Sequence, residues 1–167
     1  MAKLFSTAGS KIYIGPAKAY EDTDFTSTDF PSSGGSAITW VEIKGHTNLG
    51  GVGDTSELIT SDHIGIARTR KLKGTRNAGS MTLVCDLDYS DAGQAALLAA
   101  EAARHSYAFK IVLNDAPPGG TPSIRFFVAY VMQSAEEFNE ANSVMKLNAT
   151  LEVDSNVVRV NAAPADP

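Results

Sequence analysis

The 167-residue sequence predicts a mainly β fold, a β-sandwich or partial barrel with one flanking α-helix and a long inter-strand loop. Three observations predict it. Several segments alternate apolar and polar residues with a period of two, the signature of strands with one buried and one wet face. One alanine-rich segment, and only one, has helical composition. Apolar residues make up 43% and charged residues 20%, the balance of a chain that builds a core. The length fits one domain over 1–167.

Taken in order, 1–10 reads as an N-terminal arm and 11–15 as a weak strand candidate. The stretch 21–36 is rich in Asp, Ser, Thr and Gly and reads as a loop whose only large apolar residues are Phe25 and Phe30. A short strand over 38–44 puts Ile38 and Trp40 on one side and Val41 and Ile43 on the other. The connection 45–78 exceeds thirty residues, which a compact domain rarely carries unless the loop has a job. Met81, Leu83, Cys85 and Leu87 alternate with Thr82, Val84, Asp86 and Asp88 in a clear strand. The alanine-rich segment 90–104 is a helix with Ser90 as N-cap, Asp91 at the positive end, and Arg104 and His105 at the negative end. Gly93 in its first turn costs about 1 kcal/mol relative to alanine. Tyr107, Phe109, Ile111 and Leu113 form another apolar stripe, and 114–123 is a turn rich in Pro and Gly. The run 124–132, apolar at nearly every position, reads as a strand covered on both faces. Met145, Leu147, Ala149, Leu151 and Val153 alternate with Lys146, Asn148, Thr150 and Glu152. A weak strand over 157–160 opens an Ala/Pro tail, 157–167.

Composition removes several functional classes. No apolar stretch approaches the ~20 residues of a membrane span. The first residues lack the apolar region of a secretory signal. One cysteine excludes an internal disulfide framework, and with three histidines it gives no expected Cys/His zinc site. A net charge of -5 excludes a generally basic nucleic-acid binder. The charge is unevenly placed, however. The run 68–76 holds Arg68, Arg70, Lys71, Lys73 and Arg76 with no acid, leaving nine basic against nineteen acidic residues elsewhere. A basic tongue on an acidic body can bind nucleic acid, a further copy of that body, or nothing.

No pattern points to catalysis. Gly50-Gly51-Val52-Gly53-Asp54 lacks the spacing and following helix of a phosphate loop and reads instead as a flexible hinge. Asp54, Glu57, Asp62 and His63 lack cation-loop spacing. Cys85 lies on an apolar stripe and reads as a core thiol. Asp86 and Asp88 share a polar strand face with Ser80 and Thr82, which explains them without paired catalytic carboxylates. Asn148-Ala149-Thr150 matches a glycosylation sequon but sits inside a strand. No catalytic residue, metal ligand or cofactor is expected. Long strands with one polar face can line water when subunits join edge to edge into a ring, and closure removes exposed edges. A lumen of acidic and neutral polar side chains would let DNA slide through.

Trp40-Val41-Glu42-Ile43-Lys44, Gly50-Gly51-Val52-Gly53-Asp54-Thr55-Ser56-Glu57 and Arg68-Thr69-Arg70-Lys71-Leu72-Lys73-Gly74 occur in that order. They are followed by Asn77-Ala78-Gly79-Ser80-Met81-Thr82-Leu83, then Asp91-Ala92-Gly93-Gln94, then Phe127-Val128-Ala129-Tyr130-Val131. In this order the chain resembles the tail tube (major tail) proteins of long-tailed bacteriophages across about residues 38–153. The resemblance implies a β-sandwich with a flanking helix, assembled as homo-hexameric rings whose strands build a continuous inner β-barrel. It implies that the loop 45–78 reaches an adjacent ring. Arg68, Arg70, Lys71, Lys73 and Arg76 would meet acidic groups on a neighbour, with Asp54 and Glu57 in the same loop and Gly50, Gly51 and Gly53 letting it change shape. The implied partners are further copies, a tape measure protein, a tail terminator, tail tip proteins, and DNA passing through without tight binding. The implied location is the virion, with no enzymatic activity and no membrane. Similar folds serve type VI secretion tubes and gene transfer agents. From the strand alternation, Thr82, Asp86, Asn148, Thr150 and Glu152 are the lumen-facing candidates, with Lys146 the one basic departure. Competing readings are another virion or secretion-tube component, or a monomeric β-sandwich binding module using the basic loop.

Overall fold

The computed structural model describes residues 3–32 and 36–165. Residues 1–2 of the expected arm, 33–35 of the expected loop and 166–167 of the tail lie outside the described residues. The strands are β1 (Lys11–Ala17), β2 (Val41–Ile43), β3 (His46–Asn48), β4 (Thr55–Ser61), β5 (Arg70–Asn77), β6 (Ser80–Asp86), β7 (Tyr107–Val112), β8 (Ile124–Glu137), β9 (Lys146–Val153) and β10 (Val158–Val160). One helix, α1 (Ala92–Ala102), lies between β6 and β7. Seven strands form an antiparallel sheet in the order β2-β1-β7-β8-β9-β6-β3, with β10 also paired to β8. Among the described residues β4 and β5 pair only with each other.

The sheet must curl. β2 stands at one margin and β3 at the other, yet only Lys44 and Gly45 separate them in the chain. Gly45 makes the corner at φ +72°, a conformation that a side chain disfavours. Ile12, Ile14 and Ile43 from one side of the sheet therefore share a core with Met81, Leu83, Leu147 and Leu151 from the other. Leu97 and Ala100 of α1 plug that core. The fold is a partial barrel stoppered by a helix.

β8 is the hinge of the sheet. Its first half pairs with β7 from Ile124 to Ala129, and its second half pairs with β9 from Ala129 to Glu137. The register slips between Val131 and Gln133, an irregularity that bends a strand. Phe127, Ala129 and Val131 face the barrel core, while Phe126 and Val128 face a second cluster. That cluster is sealed by Phe25 and Phe30, and the Phe30 ring stacks on Phe126 with centroids 5.0 Å apart. The two-sided burial read from 124–132 is observed as far as Ala129, with the two phenylalanines of 21–36 as its lid; beyond it Tyr130 and Met132 are exposed, so the strand there is covered on one face alone. The two sides of 38–44 also separate as read, with Ile38 and Trp40 against the second cluster and Val41 and Ile43 against the first.

Several boundaries differ from expectation, β1 and β8 running on to Ala17 and Glu137. The strand in 38–44 shortens to Val41–Ile43. The helix begins at Ala92 with Asp91, not Ser90, as its N-cap. The Asp91 carboxylate accepts from Gln94 N at 3.0 Å and from Lys44 N at 3.2 Å, whereas Ser90 Oγ is taken by Asp88 Oδ1 at 2.6 Å. Asp91 wins because it satisfies a helix donor and a strand-end donor together. The helix also stops at Ala102, so Arg104 and His105 lie beyond it.

The largest correction concerns 45–78. It is not an irregular loop. It holds β3, which pairs with β6, and then the β4–β5 hairpin. Apart from pairing with itself, the hairpin makes no substantial contact with any other element among the described residues.

Candidate assembly surfaces

Strands β8, β9, β6 and β3 form one wall of the partial barrel. Period two sends Met81, Leu83, Cys85, Leu147, Ala149 and Leu151 into the core. Their neighbours face the other way. Cross-strand partners fall into rows: Ser80 with Glu152, Thr82 with Thr150, Val84 with Asn148, and Asp86 with Lys146. On β8, Gln133 continues the threonine row, Ala135 the Asn148 row and Glu137 the Lys146 row. All five lumen candidates read from the sequence therefore share one open polar face.

The electrostatics of that face are settled by pairing. Lys146 Nζ forms an ion pair with Asp86, so the one basic residue of the face is neutralised. Asn148 Nδ2 donates to Glu137 Oε2 at 2.8 Å, and Thr150 Oγ1 to Gln133 Oε1 at 3.4 Å. Asp86, Glu137 and Glu152 against Lys146 leave the face at -2. Gln133 and Glu137 escape a sequence reading. The apolar run ends at Met132, and beyond it β8 has no buried stripe to reveal its period.

The wall has open margins. Beyond Ala129, no strand among the described residues pairs with β8 on its β7 side. On the far side, β3 is the last strand of the sheet. Gly50 follows it at φ +64° and lies against β6 so closely that a Cβ there would stand 2.6 Å from Thr82 O. Gly50 is thus fixed by close backbone approach and is not the hinge expected of it. Gly51 and Gly53 have nothing packed closer than 4.0 Å.

The hairpin carries the remaining sequence-predicted residues. Arg76 is ion-paired with Asp54 at its base, and Thr75 Oγ1 donates to Glu57 Oε2 at 3.4 Å. Arg70, Lys71 and Lys73 lie on β5 opposite Ser61, Thr60 and Leu58, with Arg68 just before the strand. Among the described residues these four cations have no ion-pair partner. Leu58 is 61% exposed, Leu72 is 66% exposed and Ile64 is fully exposed, with Ile59 and Ile66 half-exposed. A two-stranded ribbon with apolar side chains in water on both faces is marginal alone and calls for a partner.

Among the described residues no three His, Cys, Asp or Glu side chains come together to hold a metal. Cys85 is fully buried, and burial, with Asp91 and Asp86 nearby, pushes its thiol up to about 12. Asp88 is held below the usual carboxylate range by its bonds from Ser90.

No protein-family model matches the chain, and no curated protein matches it in sequence. Solved structures do match. A chain of the anti-feeding prophage baseplate superposes with a TM-score of 0.66 at 12% identity, over 96% of this chain and 98% of that one. A chain of an extracellular contractile injection system, the PVC sheath/tube terminator in its extended state, gives 0.66 at 12%, over 95% and 98%. The SPP1 tail tube gives 0.60 at 14%, over 94% of this chain and 78% of that one. At these identities the likeness speaks for the fold: a mainly antiparallel chain curled around one helix, the tail tube fold.

Proposed function

We propose that the protein is a structural, non-enzymatic subunit of a tail tube. Copies join into a ring, hexameric by the sequence resemblance, and rings stack into a hollow tube through which DNA passes. The observation that carries this reading is the wall β8-β9-β6-β3. One face is the barrel core, the other is polar and net acidic, and the β8 margin ends in unpaired backbone groups. An unpaired strand edge seeks a strand. Joining the β8 margin of one copy to the β3 margin of the next buries both, and a circle of such joints turns the polar faces inward.

A lumen lined by Thr82, Asp86, Asn148, Thr150 and Glu152 repels or ignores phosphates, so a duplex meets no sticky cation. The likeness to tube and baseplate chains of phage-like particles supports the same reading. The location is then the virion or phage-like particle. A tape measure protein, a tail terminator and tip proteins are the further partners of such a tube.

The test is sedimentation and negative-stain microscopy of the purified protein over rising concentration. Rings or open-ended tubes are expected. A strict monomer under every condition would favour a binding module that uses the basic hairpin.

A further inference from the structure

The face of β1 and β7 turned away from the barrel core carries a lysine without an acid. Strand register sets Lys110 of β7 between Tyr13 of β1 and Phe126 of β8, and sets Tyr13 in turn beside Glu42 of β2. Lys110 Nζ lies 4.4 Å from the centre of the Tyr13 ring and 4.9 Å from that of the Trp40 indole. Trp40 reaches this place because residue 15 is glycine: a Cβ there would stand 3.0 Å from Trp40 Cζ3. The indole also tilts against Phe126, with ring centroids 5.9 Å apart. Lys110, Tyr13 and Trp40 are each half-buried, so the amine sits in an aromatic slot that stays open to solvent. Glu42 stands two strands away, about 10 Å, and is taken by Lys11 at 3.5 Å.

Among the described residues no other lysine has these surroundings. Lys11, Lys18 and Lys146 each face a carboxylate, those of Glu42, Glu21 and Asp86. Lys3, Lys44, Lys71 and Lys73 are exposed. Lys18 is the instructive counterpart. Its Nζ lies over the Phe25 and Phe30 rings, 5.0 Å and 5.5 Å from their centroids, yet Glu21 Oε1 is 3.7 Å away. Lys110 alone is half-buried with no counter-charge, and the nearest charge on its own face of β1 is the like charge of Lys11. Burial without a counter-charge favours the neutral amine. It holds the Lys110 ammonium below its ordinary 10.5, a shift tempered by the ring faces, which attract the cation. A desolvated lysine amine is a nucleophile toward carbonyl carbon.

We propose that Lys110 is a covalent capture site for small planar aldehydes, with Tyr13 and Trp40 as the walls on which they stack. The neutral amine adds its lone pair to the aldehyde carbon and forms a C–N bond. The carbonyl oxygen then leaves as water, carrying both amine protons, and an imine remains. No oxidant or reductant is consumed. The slot lies on β1, β7 and the 38–40 segment, apart from the β8 and β3 margins, so the inference goes beyond the tube reading and stands without it.

The test is competitive labelling of the whole folded chain with benzaldehyde. Cyanoborohydride in the assay fixes each imine as a secondary amine, and peptide mapping by mass spectrometry reads every lysine separately. Lys110 should label about tenfold faster than Lys18, Lys71 and Lys73, the gain that ring stacking and a desolvated amine supply together. In urea the lead should vanish, because the slot is gone. With acetaldehyde, which has no ring to stack, the lead should shrink. Tyr13→Leu should shrink it too, with Lys71 and Lys73 labelling as in the parent.

Labelling of Lys110 no faster than that of Lys71 and Lys73 would overturn the proposal: the slot would then only hold an ammonium. A lead that survives in urea would overturn it as well, by removing the fold from the cause. A lead as large with acetaldehyde would overturn the part given to the rings.

Discussion

Gly93→Ala is the sharpest test of how the helix is seated. Helix propensity alone says the change should stabilise, by about 1 kcal/mol for Gly to Ala. The structure reverses the sign. A Cβ on Gly93 would stand 2.2 Å from Glu42 O, 2.6 Å from Ile43 Cα and 2.7 Å from Glu42 C, all backbone. Ordinary contact begins near 3.4 Å, so α1 must withdraw from β2 by about 1 Å.

That withdrawal costs twice. Overpacking a close contact typically costs 1–3 kcal/mol. The move also pulls on Gln94, which is buried and donates from Nε2 to Lys44 O at 3.1 Å and Asp86 O at 2.9 Å while its Oε1 accepts from Asp88 N at 3.0 Å. Stranding one such group costs roughly 1–3 kcal/mol. Setting about 1 kcal/mol of propensity against both leaves a net loss of about 1–5 kcal/mol. Urea unfolding of the unassembled protein, followed by circular dichroism, measures it. Gly51→Ala is the control. Nothing lies within 4 Å of its Cβ position, and it should change stability by less than about 1 kcal/mol. A Gly93→Ala protein as stable as the parent, or more so, would refute the seating of the helix.

Three further outcomes are expected. The Cys85 thiol, raised from 9.0 to about 12, should react with maleimide or a disulfide reagent at least about a thousandfold more slowly in the native protein than in urea, since each unit cuts the thiolate tenfold. Equal rates would show the strand open to solvent. Asp115 accepts from Ser123 Oγ at 2.5 Å and Ser123 N at 2.7 Å, which hold its carboxyl below 3.8. Asp29 and Asp88 are lowered likewise by bonds from Thr26 and Ser90. A depressed carboxylate stabilises above its unfolded pKa, so stability should hold down to about pH 4 and fall below it. Asp115→Ala should flatten that fall, and an unchanged pH profile in the variant would contradict the assignment. Thr82→Arg/Thr150→Arg places two cations in one row of the polar wall. Assembled tubes of this variant should retain DNA in a salt-sensitive way, whereas the parent should not, and equal retention would mean that the row faces elsewhere.

What could be read from the sequence follows from what the core touches. Leu147, Ala149 and Leu151 alternate with Asn148 and Thr150 because one face is sealed, and that contrast is visible in a string of letters. The strand over 124–132 was equally plain, since Phe126 and Phe127 face two different clusters. The hairpin was not, because neither of its faces meets the core: Leu58 opposite Lys73 and Ile59 opposite Leu72 give no one-sided pattern. Residues 133–137 of β8 were missed for the same reason. The helix cap went to the wrong neighbour because Asp91 is chosen by Lys44, forty-seven positions away, which no local rule can see. Of the polar face, the five residues named from the alternation lie on β6 and β9 opposite the core-facing set. Gln133 and Glu137, which bond to two of the five, become visible only when β8 is laid beside β9.

A reconstruction of the assembled particle at side-chain resolution tests the account most directly. It should show a hollow ring in which β8 of one copy is hydrogen-bonded to the β3 margin of the next, with Thr82, Asn148, Thr150 and Glu152 facing the hole. A ring whose polar wall points outward, or copies that meet through other strands, would contradict it.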